Sequence, residues 1–165
     1  MGKITNEELL NKINEKFSVT VVGEPYGLLT IETDREHIIS LLDFVKNDAV
    51  LQLIYLTDIT AVHYPETEKP IAVIYHLHSL VNNVRLRVKV FLPAGDDHIP
   101  TATTLWNGAN WMERETYDFF GVIFDGHPDL RRILNVDDMT AFPMRKEFPL
   151  EDPNRVDKKD YFFGR

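Results

Sequence analysis

WMERETYDFFGVIFDGHPDLRR, residues 111–132, is the stretch from which the rest of the chain can be read. Glu113, Arg114, Glu115, Asp118, Asp125, His127, Asp129, Arg131 and Arg132 are threaded between Trp111, Tyr117, Phe119, Phe120 and Phe124. A solvated helix face carries charge without that aromatic company, and a core segment carries the aromatics without the charge. The mixture suits a surface buried against a partner, where charges pair and aromatic rings fill pockets.

The spacing predicts a helix from Ala109 to Phe120, with Gly121 as its left-handed stop. On such a helix Glu115 and Asp118 share a face, and Arg114 lies four residues before Asp118 and can pair with it. Glu113, Glu115, Asp118 and His127 are groups that acid/base catalysis uses. The arginines interleaved with them, Arg131 and Arg132 included, favour a mutually neutralising structural network over a base with a raised pKa.

Working back from this helix, Thr5-Asn6-Glu7-Glu8 has the form of a capping box, followed by Leu10, Ile13 and Phe17 at helical spacing. Ser18 to Val22 and Leu28 to Thr33 read as strands joined across Gly23 to Gly27. A second capping box, Thr33-Asp34-Arg35-Glu36, is expected to open a helix carrying Ile38, Leu41, Leu42 and Val45 and ending at a left-handed Asn47. Val50 to Ile59 is apolar on both faces, as in a central strand under helices. Two alternating strands follow, Ile71 to Leu77 and Val84 to Val90, turned by Asn82-Asn83, with Arg85, Arg87 and Lys89 on the outward face. A loop from Pro93 to Pro100 precedes a short helical turn capped by Thr103 or Thr104.

Beyond Gly126 no period is visible, and Pro128, Pro143, Pro149 and Pro153 forbid long regular elements. Phe142, Phe148, Tyr161, Phe162 and Phe163 make this tail too aromatic to lie in water, and a partner groove is its expected home. The expected architecture is one α/β domain of the α+β type, residues 1–126, with a mixed, largely antiparallel sheet and helices packed on it. An extended, partner-wrapping tail over residues 127–165 completes it.

A chain of 165 residues with 44% apolar content can bury a core, and it has no apolar run long enough to cross a bilayer. The beginning, MGKITNEELL, has the look of neither a signal nor a transit peptide. With no cysteine, the chain by itself holds no disulfide, thiolate nucleophile or cysteine-ligated cluster. A net charge of −8 argues against nonspecific binding to nucleic acid or anionic membrane.

Other candidate chemistry is thin. His76 and His78 share a strand face, but no third metal ligand is evident near them. Asp96-Asp97-His98 reads as turn chemistry. The stripe Arg85, Arg87, Lys89 resembles a single-strand nucleic-acid platform, without the alternating aromatics such a platform needs. No phosphate-cradling loop, dinucleotide fingerprint or Ser/His/Asp order is present.

Glu113-Arg114-Glu115, Asp118-Phe119-Phe120, His127 and Arg131-Arg132, at their spacing, resemble the signature of the C-subunit family of NADH–quinone oxidoreductase. This is the 30-kilodalton-type subunit of respiratory complex I. Asn110-Trp111, Gly126-His127-Pro128 and Phe142-Pro143-Met144-Arg145-Lys146-Glu147-Phe148-Pro149 are similar to that family too.

The resemblance implies a noncatalytic, structural subunit of the peripheral arm of a proton-translocating enzyme. The arm is expected at the cytoplasmic side of the cell inner membrane, this chain reaching the membrane only through the complex. Its partners would be subunits D, B and I; FMN, iron–sulfur clusters and quinone would sit on partner subunits and none on this chain. The residues implied as partner-binding or structural are Trp111, Glu113, Arg114, Glu115, Asp118, Phe119, Phe120, His127, Pro128, Arg131, Arg132, Arg145 and Lys146. The fusion to the D subunit known in some bacteria is not expected here. Similar subunits occur in membrane-bound hydrogenases and in complex-I-like enzymes with other electron donors, which gives a second reading. A stand-alone RNA-binding domain is the alternative from another class.

Overall fold

The computed structural model describes residues 4–148. Helix α1 (Asn6–Asn14) opens on the capping box the sequence advertises. The Thr5 hydroxyl accepts from the Glu8 backbone N–H, while the Glu8 carboxylate accepts from the Thr5 N–H at 2.8 Å. Leu9 and Ile13 are its buried residues, while Leu10 and Phe17 lie partly buried at the margin. Strands β1 (Thr20–Gly23) and β2 (Leu29–Glu32) form the expected antiparallel pair around a short turn at Pro25–Gly27.

Helix α2 (Ile38–Asn47) carries the expected apolar stripe of Ile38, Leu41, Leu42 and Val45, but both of its ends differ from the sequence reading. The second capping box does not form. The Thr33 backbone N–H donates to the Lys89 carbonyl and so continues the sheet, while Arg35 reaches away to Asp96 and the His98 carbonyl. Those long-range partners outweigh a local cap, and the helix starts at His37, which has no side-chain cap. At the other end Asn47 remains helical and donates to Asp43, with an extended Asp48 following.

Strand β3 (Tyr55–His63) also departs from expectation. Leu51 and Leu53 fill the core from a loop in which Gln52 takes a left-handed conformation (φ 46°), so pairing begins only at Tyr55. The strand occupies an edge, because the sheet runs β1-β2-β5-β4-β3, with β4 (Ile71–Ser79) and β5 (Val84–Leu92) inside it. Every neighbouring pair is antiparallel except β2 with β5. The Asn82 side chain locks the β4–β5 turn by donating to the Val50 and Leu51 carbonyls.

One sheet face carries Leu29, Ile31, Leu86, Val88, Tyr75 and Ile59, which join the helices in a single core. Burying each large aliphatic side chain contributes about 1.5–3 kcal/mol. On the other face Arg85 is exposed and Arg87 and Lys89 are half-buried, as the alternation requires.

Helix α3 (Ala109–Phe120) matches its sequence bounds, and Gly121 closes it with φ 75°. It lies on β3, and the Thr116 hydroxyl caps the Ile59 carbonyl. Two short parallel strands, β6 (His98–Pro100) and β7 (Ile123–Asp125), had no visible period in the sequence; they clasp the two ends of the α3 region together. Residues 127–148 contain no helix or strand and fold back over α3, where Phe142 finds its pocket on this chain itself. Pro149, Pro153 and Tyr161 to Phe163 lie outside the described residues.

Candidate functional site

The charged belt resolves into an inward set and an outward set, and α3 decides which is which by its 3.6-residue period. Glu113, Thr116 and Phe120 fall on the buried side; Asp118 is buried too, beneath the returning chain, whereas Trp111 and Glu115 are exposed.

Asp118 is the centre of a knot. Its Oδ2 accepts from the backbone N–H groups of Ile133, Leu134 and Asn135 at 3.1, 2.8 and 2.9 Å. Its Oδ1 accepts from Arg132 at 2.7 Å and from the Asn135 side chain at 3.0 Å. Burial works against the charge, but these donors outweigh it and hold the carboxyl well below the usual carboxylate range. Arg132 completes the tie by donating to the carbonyls of Asp118, Met139 and Ala141.

The expected Arg114–Asp118 pair is absent among the described residues. Arg114 donates instead to the Arg131 and Arg132 carbonyls, 3.2 Å each, so it holds the same returning segment from its other side. A backbone carbonyl in reach satisfies the guanidinium, and Asp118 already has its full complement of donors.

Glu113 has no lysine or arginine partner among the described residues, contrary to the mutually neutralising network expected of the belt. Its side chain is fully buried. The Thr101 hydroxyl donates to Oε2 at 2.5 Å and the Ala102 N–H to Oε1 at 2.6 Å. Burial pushes its pKa up to about 7, against those two donors. His127 lies 4.0 Å away, also fully buried. Its Nδ1 accepts from the Asp129 N–H, so the ring proton sits on Nε2 and donates to the Asn110 carbonyl. Tyr75, buried on β4 with no partner for its hydroxyl among the described residues, also has a raised pKa, from burial first and the nearby Glu113 second.

A second latch closes the far end of α3. Arg145 donates to the Phe120 carbonyl and to Asp97, both at 2.6 Å. The guanidiniums of Arg132 and Arg145 both lie over the Phe142 ring, 5.2 and 5.3 Å from its centroid. It also sits against Gly121, where an added Cβ would meet Phe142 Cε2 at 2.6 Å. The Lys146 backbone N–H donates to His63 Nδ1 at 2.8 Å.

Phe119 and Phe120 complete the inward set, packed on or in the core. Trp111, Glu115, Pro128, Arg131 and the Lys146 side chain point outward, and the Arg131 guanidinium pairs with Asp129, itself exposed. Thr101, Asn135 and Asp97 belong to the site beyond the residues expected there, and Phe142, expected in a partner groove, belongs to it too. Each lies far from its partner in sequence, and only the loop return brings them together. The turn chemistry expected at Asp96-Asp97-His98, where the His98 backbone N–H helps to hold the Asp96 carboxyl down, is joined by long-range pairs with Arg35, Arg145 and Asp125. His76 accepts from Arg87 at 2.8 Å, and burial first, then that arginine, lowers its pKa. Among the described residues no three His, Cys, Asp or Glu side chains cluster as a metal site, and no helix is long and apolar enough to cross a membrane.

The family model described as "Respiratory-chain NADH dehydrogenase, 30 Kd subunit" matches residues 31–154. The chain is similar to the NADH-quinone oxidoreductase C subunit of Geobacter metallireducens, 44% identical over 92% of this chain and 93% of that one. The same-named protein of Geobacter sulfurreducens is 42% identical over 91% and 93%. Among solved structures, a trypsin-resistant fragment of Nqo5 is similar, with TM-score 0.66 and 32% identity over 75% of this chain and 98% of that chain. A chain of the membrane-bound sulfane sulfur reductase, an archaeal respiratory membrane complex, gives TM-score 0.75 and 26% identity over 93% and 96%.

Proposed function

We propose, from the premise that this chain belongs to the respiratory-chain NADH dehydrogenase 30 Kd subunit family, that it braces an ion-translocating NADH–quinone oxidoreductase and performs no reaction itself. The observation that carries this is the employment of the belt's inward groups. Asp118, Arg132, Arg114 and Arg145 are each committed to holding residues 131–146 on α3. A rigid platform results, with Trp111, Glu115, Pro128, Arg131 and Lys146 on its outer side.

On this reading the outer side meets the partner subunits D, B and I, the first carrying the quinone site and the other two the clusters. FMN, iron–sulfur clusters and quinone reside on partners, and the chain reaches the cytoplasmic side of the cell inner membrane through them. An exposed tryptophan with Arg114 and Glu115 three and four residues further along α3 suits such a joint, since aromatic and arginine anchors carry most interface energy. The similarity to the archaeal sulfane sulfur reductase chain favours a second reading, the same brace in a complex-I-like enzyme with another electron donor.

An affinity pull-down of the full chain, with identification of the co-purifying proteins, tests both. Flavin- and cluster-bearing subunits are expected to follow it. A nickel-ligating or sulfur-reducing large subunit selects the second reading, and a chain that stays monomeric in cells contradicts both.

A further inference from the structure

We propose that Glu113 is a proton-binding site of the folded chain, loaded from solvent through the hydroxyls of Thr103 and Thr101. The bracing role does not require this, and the proposal stands on a separate set of contacts. The carboxyl is sealed from water, and no lysine or arginine among the described residues lies within 4 Å of it. The ionisable groups facing it are His127, from the segment after β7, and Tyr75, from β4. The 101–103 turn presents only hydroxyls and backbone. His127 adds no cation as hydrogen-bonded, because its Nδ1 is occupied by the Asp129 N–H. The ionised state is therefore a buried charge held by two donors alone, which favours taking up a proton.

The geometry says where that proton goes. Oε1 faces the Ala102 N–H, a group that can only donate, so Oε1 stays an acceptor. Oε2 faces the Thr101 hydroxyl, which can reverse. In the ionised state Thr103 donates to Thr101 and Thr101 donates to Oε2. In the protonated state Oε2–H donates to Thr101 and Thr101 donates to Thr103, 2.9 Å away. The Thr101 oxygen accepts from the Thr103 N–H in both states, so its backbone anchor is undisturbed. Thr103 is half-buried and opens the chain of hydroxyls to water, which supplies and receives the proton. Uptake forms the Oε2–H bond, reverses two hydrogen bonds and moves no heavy atom.

Carbon NMR of the full chain, with glutamate labelled at Cδ, reads this directly across pH 4 to 9. One glutamate carbon is expected to titrate with a midpoint near 7. That transition should vanish in Glu113→Gln. In Thr101→Val, which keeps the side-chain shape and removes a donor to the charged form, the midpoint should move upward, and Thr101→Ser should return it. The proposal is overturned if every glutamate carbon titrates in the ordinary carboxylate range, or if the neutral-range transition persists in Glu113→Gln. Should Glu113→Gln fail to fold, an unchanged midpoint in Thr101→Val overturns it equally.

Discussion

Glu113 and Asp118 lie five residues apart on α3, both fully buried, and their surroundings shift their pKa values in opposite directions. Asp118 receives five hydrogen bonds, one from a guanidinium, and stays ionised. Among the described residues Glu113 receives two and no cation, and burial raises its pKa to about 7. In an enzyme such a split assigns an acid and a base. Here each carboxyl instead faces a different loop of its own chain: Asp118 the returning segment 132–135, Glu113 the turn 101–102.

Removing either half of the Asp118–Arg132 pair leaves a buried charge uncompensated, at a cost of about 3–5 kcal/mol. Arg132→Ala and Asp118→Ala should each lower unfolding stability by this order in urea titrations. The double variant should cost less than the sum, as coupled residues do.

Stability should fall on both sides of a neutral-acid plateau. The folded pKa of Asp118 is depressed, so its contribution is full above its ordinary value of 3.8 and is lost as pH falls below it. The folded pKa of Glu113 is raised from 4.5 to about 7. Its contribution is full below pH 4.5 and is lost as pH rises through 7, a decline of about 3 kcal/mol. Glu113→Gln should flatten the decline between those values in denaturant titrations at stepped pH, leaving the acid limb unchanged.

Gly121→Ala should destabilise by about 1–3 kcal/mol, because φ is 75° and the new methyl meets the Phe142 ring. In the Phe142→Ala background the penalty should shrink to the backbone part alone. A double-mutant cycle by thermal unfolding measures the difference.

What the sequence showed and what it hid divide along the range of the interactions. Thr5 with Glu8 and the Gly121 stop are local, so spacing revealed them. Thr33 to Glu36 carried the same local cue as Thr5 to Glu8 and failed. There the competing partners, the Lys89 carbonyl and Asp96, come from distant sequence. Val50 to Ile59 read as a central strand because Leu51 and Leu53 are core residues, though they reach the core from a loop. The belt was recognisable by composition, but its division into inward and outward groups was not. Only the return of residues 131–146 over α3 tells Asp118 from Glu115 or Arg132 from Arg131.

Trp111 and Glu115 are exposed, and among the described residues their side chains make no hydrogen bond or ion pair, so Trp111→Ala and Glu115→Ala should change its stability by no more than about 0.5 kcal/mol. Circular dichroism of the purified variants during urea unfolding checks this.

Those two variants also give the most direct test of the brace. Cells carrying each would be compared with wild type for the amount of assembled complex on native gels and for NADH–quinone turnover per assembled complex. A brace predicts less assembled complex with unaltered turnover in whatever assembles. Full assembly with lost turnover would contradict it and place chemistry at the belt.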